Sequence, residues 1–241
     1  MLTDEKLGPY DMLRRELALA LWDVGSVLTL DMSHPRVIQR GEERGFLVAE
    51  HESDPARPLS PYAFNLRTKD DPQRGLLTQE VLTLAVRCMY EAAKRQKVTY
   101  DAIAAVPPTG VPFAQVYQRD HARFPIVQLE REGRPDGLRG NIKVSGGTRR
   151  AKNILLIDDM ITGAEPKLEA ADALENWSFS ASNSLVLIDC EQGGSVRLAA
   201  AGYALWSVFT VTELFRFYAG QNLVSAELLD VLNDYRDRVT R

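Results

Sequence analysis

Two adjacent carboxylates, Asp158 and Asp159, stand at the end of the apolar run Ile154-Leu155-Leu156-Ile157, and Thr162, Gly163, Glu165 and Pro166 follow them. The run reads as a buried strand and Gly163 as a turn. Pro166 suits the first turn of a helix, where a missing N–H costs nothing. Leu168, Ala171 and Leu174 then repeat at helical spacing. A strand, a polar turn and a helix N-terminus in this order form an anion site, because backbone N–H groups and the helix dipole face the ligand. The paired carboxylates can accept hydrogen bonds from two neighbouring sugar hydroxyls, directly or through a hydrated Mg²⁺. The same residues also suit a plainer role, an aspartate N-cap beside a solvated neighbour.

A second turn, Val106-Pro107-Pro108-Thr109-Gly110-Val111-Pro112, follows another apolar run, Ala102-Ile103-Ala104-Ala105. Its backbone N–H groups can bind a diphosphate, or it is an ordinary Pro-Gly turn. The stretch 130–150 is charged and carries Gly133, Gly137, Gly140, Gly146 and Gly147. A loop of this length in a compact domain is either functional, closing over a ligand, or a disordered insertion.

These turns need a scaffold. From Tyr100 onward, apolar runs alternate with helical patterns, which implies a parallel sheet covered on both faces. The strands fall at 101–106, 124–129, 154–157, 182–188 and 204–209, and helices at 211–218 and 225–235 close the chain. Before Tyr100, Leu13, Leu17, Ala20, Leu21 and Val24 mark an amphipathic helix. Short strands follow at 26–30, 44–49 and 61–67. Residues 50–61 read as an exposed loop, and 76–95 as a helix opened by Thr78. The expected division is therefore 1–97, an N-terminal helix, strands and helix, and 98–241, the core with its C-terminal helices.

With 241 residues, 45% of them hydrophobic, the chain can bury a substantial core, and its formal net charge of -4 argues against general nucleic-acid binding. Cys88 and Cys190 lack metal or redox spacing, and the N-terminus lacks the apolar core of a signal peptide. The expectation is a reduced, cytoplasmic protein. No apolar stretch approaches the ~20 residues of a membrane helix. His34, His51 and His121 share no ligand-like spacing and read as surface or structural residues.

The run from Ile154 to Ala164 resembles the ribose-phosphate motif of the type I phosphoribosyltransferases. Four further stretches are similar to the orotate phosphoribosyltransferase branch: Ser60-Pro61-Tyr62-Ala63-Phe64-Asn65-Leu66-Arg67; 105–114; Ile188-Asp189-Cys190-Glu191-Gln192-Gly193-Gly194; and 201–210. The resemblance covers about 46–214 in the family's order. It implies an α/β fold, a type I phosphoribosyltransferase-like parallel sheet flanked by helices, with an N-terminal hood that contacts the base. The implied reaction is a glycosyl transfer, in which a ring nitrogen of a pyrimidine base, orotate, displaces diphosphate from 5-phosphoribosyl diphosphate (PRPP). Charge develops on the sugar and on the leaving group, which explains acids near the first and cations near the second.

By this resemblance Asp158 and Asp159 form the catalytic acidic pair and hold Mg²⁺ through water. Thr162, Gly163, Ala164 and Glu165 form the phosphate turn, and Pro107, Pro108, Thr109 and Gly110 the diphosphate turn. Arg131 and Arg134, in the mobile loop, stand where the family has lysines that reach the diphosphate, commonly in the neighbouring subunit of a homodimer. Phe64, Arg67 and Cys190 fall at base-binding positions. Several site positions depart from the family pattern. Ala164 replaces the turn glycine, and Glu165-Pro166 replaces the small hydroxyl residues that bind the 5′-phosphate. Cys190 replaces an arginine facing the base carboxylate, Asp136 the loop's His or Tyr, and Glu50-His51-Glu52-Ser53 stands where the hood carries Lys-Ser-Gly. A glutamate at 165 repels phosphate, and its carboxylate can itself cap the helix N-terminus. These departures leave an alternative open: a catalytically impaired paralogue serving as a binding, regulatory or assembly module, or a transferase for another base.

Overall fold

The computed structural model describes residues 8–48, 51, 54–71, 74–121, 124–133, 139–147 and 150–240. In chain order the elements are α1 (Pro9–Asp23), β1 (Val27–Thr29), β2 (Val37–Arg40), β3 (Glu43–Phe46), β4 (Tyr62–Phe64), α2 (Gln79–Arg95), β5 (Ala102–Ala105) and α3 (Gly110–Asp120). There follow β6 (Ile126–Gly133), β7 (Arg139–Gly146), β8 (Asn153–Ile161), α4 (Glu165–Glu175), β9 (Ser180–Asp189), α5 (Gly194–Ala200), β10 (Ala204–Thr210), α6 (Val211–Gly220) and α7 (Ala226–Val239). They form two compact units, one of residues 79–210 and one joining 1–78 to 211–241.

The unit of residues 79–210 is an α/β layer structure around a six-stranded sheet of order β10-β9-β8-β5-β6-β7. Every pairing is parallel except β6 with β7. Such strands are covered on both faces, which is why β5 and the Ile154–Ile157 stretch of β8 are apolar without alternation. Ala102, Ala104, Ile154 and Leu156 pack with Ala170, Ala171 and Leu174 of α4 in one buried cluster. The alternation of a strand turns Ile103, Leu155 and Ile157 to the other face. There α3 lies against β5 and β8, and α2 lies against β9, β10 and α3.

The stretch 130–150 departs from expectation. Most of it is no loop: β6 runs on to Gly133 and turns back through β7, pairing Arg131 with Ile142 and Leu129 with Val144. Ile142 and Val144 are buried while Asn141, Lys143 and Ser145, which alternate with them, are exposed, so a period of two fixes the register. Arg134 and Asp136 lie outside the described residues, as do Glu50, Glu52 and Ser53. The acidic pair is displaced from its expected position too. β8 does not stop at Ile157 but pairs with β9 as far as Ile161, so Asp158 and Asp159 lie within its last turns of pleat.

The other unit holds the antiparallel pairs β1–β4 and β2–β3 together with α1, α6 and α7. Tyr62 packs against Phe215 and Tyr235 at 5.4 and 6.2 Å between ring centroids. The Tyr218 hydroxyl donates to the Ala18 carbonyl at 2.8 Å, Arg14 pairs with Glu213, and Asp31 accepts the Ser225 N–H at 2.6 Å. The expected division at residue 97 therefore differs from the observed units. The apolar faces of α6 and α7 join them to the N-terminal segment, and that of α2 joins it to the sheet.

Candidate functional site

Three neighbouring connections meet at the C-terminal end of β8. The turn from β5 into α3 comes closest, and Gly110 is what allows it: a Cβ there would lie 2.5 Å from the Ile157 carbonyl oxygen and 3.1 Å from the Asp158 Cα. The Pro107–Pro108 bond in this turn is cis. Thr109 faces both carboxylates, its hydroxyl lying 3.2 Å from Asp158 Oδ1 and 3.1 Å from Asp159 Oδ1. Backbone N–H groups complete the set. Asp159 N donates to Asp158 Oδ1 at 2.9 Å, and Met160 N to Asp159 Oδ1 at 2.8 Å.

The remaining Asp158 oxygen is taken by a residue the sequence reading missed. Lys167, in the first turn of α4, reaches back to donate from Nζ to Asp158 Oδ2 at 2.6 Å and to the Met160 carbonyl at 2.7 Å. All three charged groups are buried, with Asp158 5%, Asp159 6% and Lys167 2% exposed. A signal for Lys167 exists in the sequence. Together with Ala170, Ala171 and Leu174 it occupies the i, i+3, i+4, i+7 stripe that a helix buries, so a charge on that stripe needs a buried partner.

Burial and the neighbouring Asp158 charge raise the Asp159 pKa from 3.8 to about 8, against the opposing pull of Lys167. The resemblance implies Mg²⁺ at this pair, reached through water. A hard dication seeks oxygens with open lone pairs, yet Asp158 already accepts an ammonium, an N–H and a hydroxyl. Among the described residues no three His, Cys, Asp or Glu side chains group as metal ligands. The acidic pair as placed does not fit a resident dication.

The phosphate turn is likewise filled from within. Glu165 Oε2 lies 2.4 Å from where a Cβ on Gly163 would sit, so the carboxylate folds over the turn at the start of α4. Burial alone would raise its pKa, but its own backbone N–H and Arg197 outweigh that and leave it lowered. The Arg197 guanidinium of α5 pairs with it at the surface. Thr162 turns its carbonyl to the Gly194 N–H at 3.1 Å, and Ala164 is buried beneath the helix start.

Other expected site residues are held elsewhere. Arg131 donates to the Gly140 carbonyl at 2.7 Å and to Glu169 of α4 at 3.0 Å, so it ties the hairpin to the helix. Glu169 also accepts the Ile142 N–H at 2.7 Å. Cys190 is buried with its Sγ 4.0 Å from Met160 Sδ, beside the acidic pair. Asp189 before it is raised above the usual carboxylate range by burial. Phe64 and Arg67 belong to the other unit, where Phe64 joins the Tyr62 and Phe215 rings and Arg67 lies 4.0 Å from Asp71.

No family model matches this chain. Among individual proteins, uridine 5′-monophosphate synthase of Bos taurus is 25% identical over 158 residues, which is 65% of this chain and 32% of that protein. The chain thus spans about a third of that relative's length. Orotate phosphoribosyltransferase of Sulfolobus acidocaldarius is 24% identical over 178 residues, 73% of this chain and 84% of that one. Of solved structures, UMP synthase of Leishmania donovani superposes with a TM-score of 0.65 at 20% identity, covering 92% of this chain and 42% of the other. The chain has the type I phosphoribosyltransferase fold. Within that fold it resembles the orotate phosphoribosyltransferases.

Proposed function

We propose that this chain is an orotate phosphoribosyltransferase-like enzyme of pyrimidine nucleotide synthesis, transferring phosphoribose from PRPP to a pyrimidine base, orotate, with release of diphosphate. The observation that carries the reading is the constellation at the end of β8. A buried acidic pair is bridged by Thr109 of the neighbouring turn, beside a helix start, in the fold whose relatives bear that name. In this reading Asp159 contacts the ribose hydroxyls and Asp158 orients it through the shared Thr109 contact and the Asp159 N–H. Pro107 and Pro108 carry no N–H and Gly110 donates its own to the Val106 carbonyl at 2.9 Å, so in the 107–110 turn it is the Thr109 N–H that receives the diphosphate, which enters as its Mg²⁺ complex. Cys190 lies beside the acidic pair, on the side of the base, and the enzyme works as a cytoplasmic homodimer.

Two contacts bear on a second reading, which the names of the relatives do not favour. Lys167 ties Asp158, and Glu165 covers the phosphate turn, so the fold also suits a binding, regulatory or assembly module that no longer turns over PRPP. The buried thiol of Cys190 in place of a cation suits a base without a carboxylate.

Calorimetric titration with PRPP and Mg²⁺, followed by orotate absorbance, separates the readings. Heat on PRPP addition and loss of orotate absorbance are expected. An absence of heat up to about millimolar PRPP refutes the enzyme in favour of the module. Binding without orotate consumption points to another base.

A further inference from the structure

The ion pair between Lys167 and Asp158 carries an inference that stands whether or not the chain transfers phosphoribose. We propose that Lys167 is a built-in substitute for a divalent cation: it fills the cation position of the acidic pair, so the protein itself holds no metal there and a divalent cation enters only as part of a ligand's own complex.

The geometry leads to this in three steps. The ammonium lies 2.6 Å from Asp158 Oδ2, buried with it, so a dication approaching that oxygen would meet a positive charge that has no route to water. Lys167 is also held in place, because the Met160 carbonyl accepts from the same Nζ at 2.7 Å and the stem is packed on the buried face of α4. Finally, Asp158 Oδ1 is engaged by the Asp159 N–H and lies 3.2 Å from the Thr109 hydroxyl, which leaves that carboxylate with donors on both oxygens. A cation bound through Asp158 must therefore displace Lys167 rather than join it.

Electron paramagnetic resonance of Mn²⁺, titrated into the full chain without any nucleotide, tests this directly. Three proteins suffice: the wild type, Lys167→Met and the double variant Lys167→Met with Asp158→Asn, which removes both charges together. The wild type is expected to bind Mn²⁺ no better than the double variant. Lys167→Met is expected to gain a site at least about tenfold tighter than any the wild type has, absent from the double variant. A wild-type Mn²⁺ site that disappears in the double variant overturns the proposal, as does a folded Lys167→Met that binds no better than wild type. Should Lys167→Met not fold, the wild type and the double variant decide between them: equal binding supports the substitution, and a lost site refutes it. Failure of PRPP to bind leaves this comparison untouched.

Discussion

Replacing Lys167 by methionine keeps the length of the side chain and removes its charge. The cost follows from what remains. Asp158 is 5% exposed, its Oδ2 loses a donor at 2.6 Å, and the Met160 carbonyl loses one at 2.7 Å. Breaking a buried pair from one side costs about 3–5 kcal/mol, because an uncompensated charge is left in a poor solvent. For a chain of this size each kcal/mol lowers the melting temperature by roughly 2–4 °C, so a fall on the order of 10 °C is expected. Asp158→Asn should cost a similar amount by stranding the ammonium. The double variant should cost much less than the sum of the two, since replacing both partners by neutral groups is often close to neutral. Urea unfolding of the four proteins measures this cycle. A Lys167→Met variant within about 1 kcal/mol of wild type, or a double variant as unstable as the two singles added, refutes the claim that the pair is a coupled, desolvated unit.

Glu165→Thr should strengthen binding of inorganic phosphate, read by calorimetry. Repulsion at ~4 Å is about 4 kcal/mol at an effective dielectric of ~20, but the side chain is 61% exposed and paired with Arg197, so a gain of about tenfold is expected and an unchanged affinity rejects the blocking role. Asp159 gives a pH dependence: with its folded pKa raised from 3.8 to about 8, the folded state holds a proton that the unfolded state has lost, so stability falls as pH rises through that interval. The urea midpoint of Asp159→Asn should decline less between pH 5 and pH 8 than that of wild type, and parallel declines would contradict the shift. Gly110→Ala should lose about 1–3 kcal/mol in the same assay, because its Cβ would press on the Ile157 carbonyl at 2.5 Å and force β8 and α3 apart; a neutral effect would mean the turn is free to move.

The sheet was legible where burial on both faces makes a strand apolar throughout, as in Ile154 to Ile157 and Leu185 to Ile188. It was not legible in the hairpin. There Leu129, Ile142 and Val144 alternate with polar residues, but glycines and charges at the intervening positions imitate a loop, and only pairing across the turn reveals the register. The acidic pair and its Thr109 neighbour followed from strand ends that a parallel sheet must bring together. Lys167 did not, because its partner lies across a strand-to-helix turn, and no sequence period links position 158 to position 167. The placement of Glu165 over its own helix start did follow from the electrostatics of a helix N-terminus. That of Arg131 against Glu169 did not, since it depends on where the hairpin crosses α4.

The unit formed by residues 1–78 and 211–241 is interrupted in the chain by the whole of the six-stranded sheet. Contacts such as Tyr218 to Ala18 span 200 positions, so their closure must await the last helices. On the ribosome the sheet unit has all of its own residues before α6 and α7 emerge, whereas α1 and the short strands spend that time without the aromatic partners that cover them. A stalled or clipped chain lacking α6 and α7 would therefore expose apolar surface near its beginning while its centre is already folded, and quality-control factors would meet it at the N-terminal segment.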